Sequence, residues 1–387
     1  MALVEVTLLV FFSHHDRART GAHFRFDRLL RGASQQHLDA VWLTPERVDA
    51  PERGQIAHWP LDFPAWLPGR ALQALWAIWQ RRSALRGLRD QPARLLIFSE
   101  TLYLASLLAV RLSGAQLIVA SRSNLIRRHQ IRQSLRRNPL SRVYHALGHT
   151  MARRIWTFTL RRANRIIVQS PAALEQLQEA YGLPSDRFRV VENDVPQLSK
   201  PPRSTLPEQP ARLLYIGSSS PLKGLDILLD ALPNLPERAP SVEAVTVVGV
   251  RERTVRRLQR KAVNNGLTLT VVPRSSEIYD LMRAHDLVVA PSREDQFPNV
   301  LLEALACGTP AIGSRRDGIP HILGDEQLLF DPTPHALLDC LAATSTPQGY
   351  RHAAAQCGRA RERLQFPWER CFLEAVTEHQ RGDLRNQ

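Results

Sequence analysis

A chain of 387 residues, 44% of them apolar, is globular and too long for one ordinary core, so two domains are expected. No stretch approaches the roughly 18 consecutive apolar residues of a membrane-spanning helix, which excludes an integral helical membrane protein. A formal net charge of +14 implies an anionic partner: nucleic acid, a membrane, or a phosphate-bearing substrate.

In chain order, Val4 to Phe12 reads as a first strand. The opening MALVEVTLLVFFSHH has the apolar run of a signal segment. It lacks a basic start and contains Glu5, so the strand reading is preferred. The loop SHHDRARTGAHFRFDRLLRG follows, with Gly21 near its middle and a helix after it. In a doubly wound fold such a first loop faces the ligand cleft, although GxGxxG is absent. His14 and His15 read as loop residues rather than ligands. Asp39 to Thr44 and Arg94 to Phe98 are further strands. Between them Trp59, Trp66, Trp76 and Trp79 interleave with Arg70, Arg81, Arg82, Arg86 and Arg89. From Ala71 this is an amphipathic helix with a basic end, suited either to a membrane interface or to packing on a sheet.

Gln116 to Ser121 is a strand, and from Ser121 to Arg165 there are twelve Arg and no Asp or Glu. The segment Arg122 to Arg142 has no Phe, Tyr or Trp on which bases could stack, which argues against nucleic acid. Arg165 to Gln169 and Phe188 to Glu192 are strands, with Ser170 capping the helix between them and Pro171 at its first position. The Pro-rich LSKPPRSTLPEQP is the expected linker. Leu213 to Gly217 then opens a second strand–loop–helix unit, SSSPLKGLDILLDAL, with the look of a phosphate site. Lys223 stands out because the chain has only three lysines, the others being Lys200 and Lys261. A compact point charge on a phosphate explains it; a surface lysine is the plainer account. Val245 to Gly249, Leu267 to Pro273, Leu287 to Ala290, Pro310 to Gly313 and Leu328 to Phe330 complete a sheet, with a helix over Ser276 to Ala284. The four cysteines, Cys307, Cys340, Cys357 and Cys371, form no CxxC pair and read as reduced thiols in a cytoplasmic protein.

The segment APSREDQFPNVLLEALACGTP is the most informative. Pro298 suits the first helical position, and Gly308 ends the helix with Pro310 beyond it. Asp295 lies in the loop and Glu303 on the helix, with seven residues between them. Glu303 reads either as a solvated residue on a helix face or, because it interrupts an apolar run, as a carboxylate that needs a partner such as the hydroxyls of a sugar or ribose.

The pattern PSxEDxxPNxxLEAxAxGTPxI resembles the retaining glycosyltransferases of family four, group 1, whose architecture is GT-B. The resemblance implies an α/β fold of two Rossmann-like doubly wound domains facing a central cleft. It implies residues 1–200 as the acceptor and membrane side and 201–365 as the nucleotide-sugar side. Residues 366–387 would be a helix crossing back to the first domain. The catalytic residues it implies are Asp295, Lys223 and Glu303, with Asp295 on the donor sugar and Glu303 on the ribose of the nucleotide. The residues between, Phe297, Pro298, Asn299 and Val300, face the sugar and diphosphate, to which such enzymes lend backbone N–H groups. The resemblance implies Gly217, Ser218 and Lys223 at the donor diphosphate, with one family contact missing at Ser218 or supplied elsewhere, as by Ser219 and Ser220, and the loop of Gly21 near donor or acceptor. Three positions depart from the family: Asp295 stands for its first Glu, Ser218 for an Arg, and Arg122 or Ser123 for a His. The expected activity is metal-independent, retaining hexosyl transfer from a nucleotide-diphosphate sugar to a glycan or lipid-linked acceptor in cell-surface polysaccharide synthesis. No cofactor, no metal and no nucleic acid are expected. The basic first half implies an anionic membrane surface as partner, at the inner face of the cytoplasmic membrane. Two alternatives keep the same fold: a sugar-nucleotide epimerase, and a non-catalytic sugar-nucleotide-binding subunit.

Overall fold

The computed structural model describes residues 8–11, 21–36, 38–44, 56–60, 70–97, 103–122, 125–134, 150, 153–250, 266–273 and 275–378. Two compact units emerge. The first gathers Met1–Arg122, Val143–Val191 and Pro367–Gln387; the second gathers Ser123–Arg142 and Glu192–Phe366.

Each unit is built on a parallel sheet, so the fold is α/β with two Rossmann-like sheets, as expected. In the first, β1 (Leu8–Phe11), β2 (Ala40–Thr44), β3 (Ile56–Pro60), β4 (Arg94–Ile97), β5 (Gln116–Ala120), β6 (Arg165–Val168) and β7 (Phe188–Val190) lie in the order β3-β2-β1-β4-β5-β6-β7. In the second, β8 (Arg212–Ile216), β9 (Ala244–Val248), β10 (Thr268–Val272), β11 (Leu287–Ala290), β12 (Ala311–Ser314) and β13 (Leu329–Phe330) lie in the order β10-β9-β8-β11-β12-β13. Both orders run outward in one direction from the first strand and then reverse, between β1 and β4 and between β8 and β11. Helices on both faces bury such strands completely, which is why they are short aliphatic runs rather than alternating ones. Leu287, Val288, Val289 and Ala290 of β11 are all buried.

The end of the chain belongs to the first unit. Helix Trp368–Thr377 packs on helix Gly21–Gln35, where Arg28 forks onto Glu369 through two hydrogen bonds of 2.8 Å. A Cβ at Gly32 would stand 2.8 Å from the Glu369 Cβ, so glycine permits this close approach. Two buried arginines finish the helix. Arg94 at the start of β4 donates to the Val376 carbonyl at 2.9 Å, and Arg165 at the start of β6 donates to the Ala375 carbonyl at 2.6 Å. Cations at a helix C-terminus satisfy its last carbonyls and complement its dipole.

Several local expectations meet differences. Gly21 opens a helix instead of sitting in mid-loop. The helix expected from Ala71 runs from Arg70 to Gln80, breaks at Arg81 and resumes over Arg82–Arg86. Strand β3, helix Tyr103–Ser113 and the helix over residues 153–162 were not foreseen. Pro298 is the N-cap residue, with ψ of 119°, and the helix starts one residue later at Asn299. The segments holding His14, His15, Trp66, Arg136, Arg137 and Lys261 lie outside the described residues.

Candidate functional site

In a doubly wound sheet the loops after the two strands flanking the reversal diverge, and the crevice between them is where ligands bind. In the second unit those strands are β8 and β11. The sequence places Lys223 after the one and Asp295 after the other.

The loop after β8 is shaped by small residues around one tyrosine. Gly217 N–H continues the pairing to the Val248 carbonyl at 3.0 Å. A Cβ at Gly217 would lie 2.7 Å from the Tyr215 hydroxyl, so a side chain there would displace the ring. That hydroxyl donates to the Ser218 carbonyl at 3.1 Å and lies 3.4 Å from the Lys223 carbonyl, tying both ends of the loop. Burial, then the charges of Asp226 and Asp295, push the Tyr215 phenol up, so it stays protonated and remains a donor. Ser218 and Ser219 are exposed, and Ser220 caps the short turn Pro221–Lys223.

The loop after β11 is pressed against the first one. Gly224 has φ of +66°, and a Cβ there would fall 1.8 Å from the Pro291 carbonyl oxygen, so only glycine fits. The amide of Arg293 donates to the Leu222 carbonyl at 2.8 Å. The Arg293 guanidinium forks onto Asp226 at 2.7 and 2.6 Å. Across this seam the Lys223 ammonium donates to the Asp295 carboxylate. The lysine side chain is 38% exposed and the aspartate 15%. A cation and a carboxylate thus meet, both partly exposed, at the strand-order reversal.

A third loop, after β12, supports the second. The Ser314 hydroxyl donates to the Ser292 carbonyl at 2.5 Å. A Cβ at Gly318 would meet the Gln296 carbonyl at 2.0 Å. The Asp317 carboxylate accepts the Asp295 amide N–H at 2.7 Å. Phe297 is buried, with its ring 6.4 Å from that of His321. His321 in turn meets Glu192 at 2.5 Å, and that hydrogen bond holds the Glu192 carboxyl below its ordinary range.

After Pro298, helix Asn299–Cys307 leads away from the loop and ends at Gly308 in the left-handed conformation, φ +71°. Its first N–H groups have no intrahelical acceptors and carry the positive end of the helix dipole, an arrangement that favours an anion. Asn299 and Val300 are half-buried at its start, and Glu303 is half-buried one turn further on.

The structure therefore brings together Gly217, Ser218, Lys223, Asp295, Phe297 and Pro298 on neighbouring loops, with Asn299, Val300 and Glu303 on the helix that follows. Gly21 lies in the other unit. Sequence reading passed over Tyr215, Gly224 and Asp317. The only local signal for the last was the turn-forming dipeptide Asp317–Gly318. Among the described residues, no group of three or more His, Cys, Asp or Glu is arranged as metal ligands would be, and no helix is long and apolar enough to cross a membrane.

Comparison with known proteins agrees with this architecture. The chain is similar to sucrose-phosphate synthase from Thermosynechococcus elongatus, with a TM-score of 0.72, 18% identity, and coverage of 95% of this chain and 96% of that one. It is also similar to WaaG, a glycosyltransferase involved in lipopolysaccharide biosynthesis, with a TM-score of 0.64, 16% identity, and coverage of 96% and 100%. The Anabaena HepE structure in complex with UDP-glucose gives a TM-score of 0.66 at 16% identity, with coverage of 96% and 100%. These likenesses establish the GT-B fold. By sequence, the chain is 29% identical over 228 residues to a D-inositol 3-phosphate glycosyltransferase from Xylanimonas cellulosilytica, 54% of each chain. It is 31% identical over 183 residues to one from Saccharomonospora viridis, 42% of each. The chain thus spans about half the length of the curated relatives it matches. The family model for Glycosyltransferase Family 4 matches residues 19–196, and that for Glycosyl transferases group 1 matches residues 197–361. With both halves matched in their proper order on a GT-B fold, the chain belongs to the group 1, family 4 glycosyltransferases.

Proposed function

We propose that this protein transfers a hexosyl group from a nucleotide-diphosphate sugar to an acceptor, with retention of anomeric configuration and without a metal. The observation that carries the reading is the Lys223–Asp295 pair, held by two interlocked loops at the strand-order reversal of the second unit. Lys223 and the N-terminus of helix Asn299–Cys307 take the diphosphate and stabilise the charge that develops on it as the glycosidic bond breaks. Electrostatic stabilisation of that kind is often the largest catalytic contribution. Gly217 and Ser218, with Ser219 and Ser220, bring backbone and hydroxyl donors to the phosphates in place of a second cation. Asp295 orients the sugar hydroxyls and is not required to attack the anomeric carbon. Phe297, Pro298, Asn299 and Val300 face the sugar, and Glu303 binds the ribose. In the free protein Lys223 and Asp295 neutralise each other. Donor binding exchanges that contact for one with phosphate and one with sugar.

We place the nucleotide-sugar side in residues 201–365 and the acceptor and membrane side in residues 1–200, with residues 366–387 belonging to the latter. The acceptor we propose is a glycan or lipid-linked sugar of cell-surface polysaccharide synthesis, met at the inner face of the cytoplasmic membrane. Two features support this. Leu72, Trp76 and Trp79 are 51%, 39% and 48% exposed along one face of helix Arg70–Gln80. The run from Arg70 to Arg89 holds five Arg and no acidic residue. Amphipathic helices with aromatic residues and a basic rim lie in the interface of anionic membranes. The names of the sequence relatives favour a second acceptor, a soluble phosphorylated cyclitol.

The test offers the purified protein labelled UDP-, GDP- and ADP-sugars with either a membrane lipid extract or inositol 3-phosphate. Labelled lipid whose new linkage keeps the donor's anomeric configuration supports the reading. Label on inositol phosphate alone moves the acceptor to the soluble class, and inversion overturns the retaining mechanism. In parallel, the protein should pellet with anionic vesicles at low salt and release at high salt. Trp76→Ser with Trp79→Ser should weaken pelleting, and a wild type that stays in the supernatant removes the membrane claim.

A further inference from the structure

A basic helix is clamped onto the donor loops of the second unit. Helix Leu125–Ser134 carries Arg127, Arg128 and Arg132 and packs against the turn Pro221–Lys223. Arg127 donates through Nη1 to Asp317 Oδ1 at 2.6 Å. The other oxygen of that carboxylate, Oδ2, accepts the backbone N–H of Asp295 at 2.7 Å. One residue along, Arg128 Nε lies 3.8 Å from Glu294 Oε2. The Asp317 side chain is fully shielded from solvent, while that of Arg127 is 29% exposed.

The backbone at Asp317 is unusual as well. Its φ is +51°, a positive value that among the described residues no other non-glycine residue adopts. A non-glycine residue held in this region is strained unless its surroundings compensate. Glycine would adopt the same φ without strain. What glycine cannot supply is a carboxylate that accepts from a guanidinium on one side and from the Asp295 amide on the other.

We propose that Asp317 and Arg127 are positioning residues for the donor site: Asp317 fixes the backbone from which Asp295 reaches Lys223, and Arg127 holds the Asp317 carboxylate in place. This rests on the sugar-transfer reading above and deepens it. The arginine-rich stretch of the first half then has a second task besides any contact with a membrane. It brings one cation, through a buried carboxylate, to the residue that orients the sugar. Without Arg127 the shielded Asp317 carboxylate loses the guanidinium that holds its Oδ1, and its grip on the Asp295 amide loosens.

The decisive variant is Asp317→Gly, because strain and positioning pull it in opposite directions. If Asp317 is merely a turn residue, glycine relieves the left-handed backbone and leaves kcat unchanged. If it positions Asp295, kcat falls by about 10- to 100-fold, the scale on which remote changes that displace a reacting group act. Donor KM should change little and the melting temperature should hold or rise. Asp317→Asn tolerates the same φ and keeps an acceptor for the Asp295 amide, so it should recover much of the loss. Arg127→Gln should resemble Asp317→Gly, with Arg127→Lys intermediate. The double variant Arg127→Gln/Asp317→Gly should be no worse than either single one. The assay follows nucleoside diphosphate release with the best donor and acceptor. A wild type inactive with every donor overturns the transferase reading and this inference with it. An active wild type matched within about twofold by Asp317→Gly overturns the positioning pair alone, because coupled residues show effects well above that.

Discussion

Replacing Lys223 with alanine separates what the site contributes to folding from what it contributes to chemistry. The lysine side chain is 38% exposed, so its pairing with Asp295 is screened by water. Such a pair contributes about 0–1 kcal/mol to stability, or a melting shift of no more than about 4 °C in a chain of this size. The transition state is another matter. As the sugar–phosphate bond breaks, negative charge collects on the leaving diphosphate, and loss of one preorganised contact to such charge costs about 2–4 kcal/mol. At 1.36 kcal/mol per decade this is roughly a 30- to 1000-fold fall in kcat/KM. The assay is steady-state release of nucleoside diphosphate, with the melting temperature measured on the same preparation. Lys223→Arg should recover only part of the rate, because a planar guanidinium does not reproduce a compact ammonium. Lys223→Ala with full activity and an unchanged melting point would refute the assignment and move the diphosphate to arginines elsewhere.

Asp295→Ala should lower turnover more than donor affinity, whereas Glu303→Ala should weaken donor binding through lost ribose contacts. Wild-type kinetics in both would show that the site lies elsewhere. Gly224→Ala combines a left-handed backbone with a Cβ placed 1.8 Å from the Pro291 oxygen. It should cost about 2–5 kcal/mol in urea unfolding, the sum of the left-handed and overpacking penalties, and should also remove activity. His285 supplies a pH test. Its Nδ1 lies 2.7 Å from the Leu281 carbonyl, which can only accept, so Nδ1 carries the proton and Nε2 accepts from the Thr246 hydroxyl at 2.7 Å. Burial pushes this imidazole below its ordinary range, so the unfolded chain takes up a proton first. Stability is therefore fully present above the unfolded value of about 6.5 and is lost as pH falls from there through the depressed folded value. Urea midpoints at pH 7.5, 6.5 and 5.5 should decline in that order, and His285→Gln should flatten the slope. A flat wild-type profile would show that His285 does not titrate differently on folding.

Elements with a strong local signature were legible in the sequence. Strand β11 was expected over Leu287–Ala290 and forms there, because an uninterrupted aliphatic run between polar turns fits a strand buried on both faces. Gly308 and the pair Ser170–Pro171 also act as read: Gly308 closes its helix at φ +71°, and the Ser170 hydroxyl accepts the Ala173 amide at 3.2 Å. Strand β3 escaped because it ends in Pro60 and lies at the edge of its sheet, where proline is tolerated and local patterning is weak. Helix Tyr103–Ser113 escaped because apolar residues lie around most of its circumference, which erases helical periodicity. The site was legible as two pieces but not as one. Lys223 and Asp295 are 72 residues apart in the chain and meet only because the strand order places β8 beside β11. The roles of Tyr215 and Gly224 depend on close approaches between loops, which no spacing rule encodes. Asp295 and Glu303 are legible as a motif, whereas the contacts from Arg127 to Asp317 and from Asp317 to the Asp295 amide are visible only through packing.

The central claim is that the loops around Lys223 and Asp295 bind a nucleotide-diphosphate sugar. The most direct measurement is a thermal-shift titration of the wild-type protein and Glu303→Ala with UDP-, GDP- and ADP-sugars. A ligand that binds only the folded state at about 100 times its dissociation constant adds about 2.7 kcal/mol of stability. The account predicts a concentration-dependent rise in melting temperature with at least one nucleotide sugar, reduced in Glu303→Ala. No rise with any of them at millimolar concentration, or an equal rise in both proteins, would contradict it.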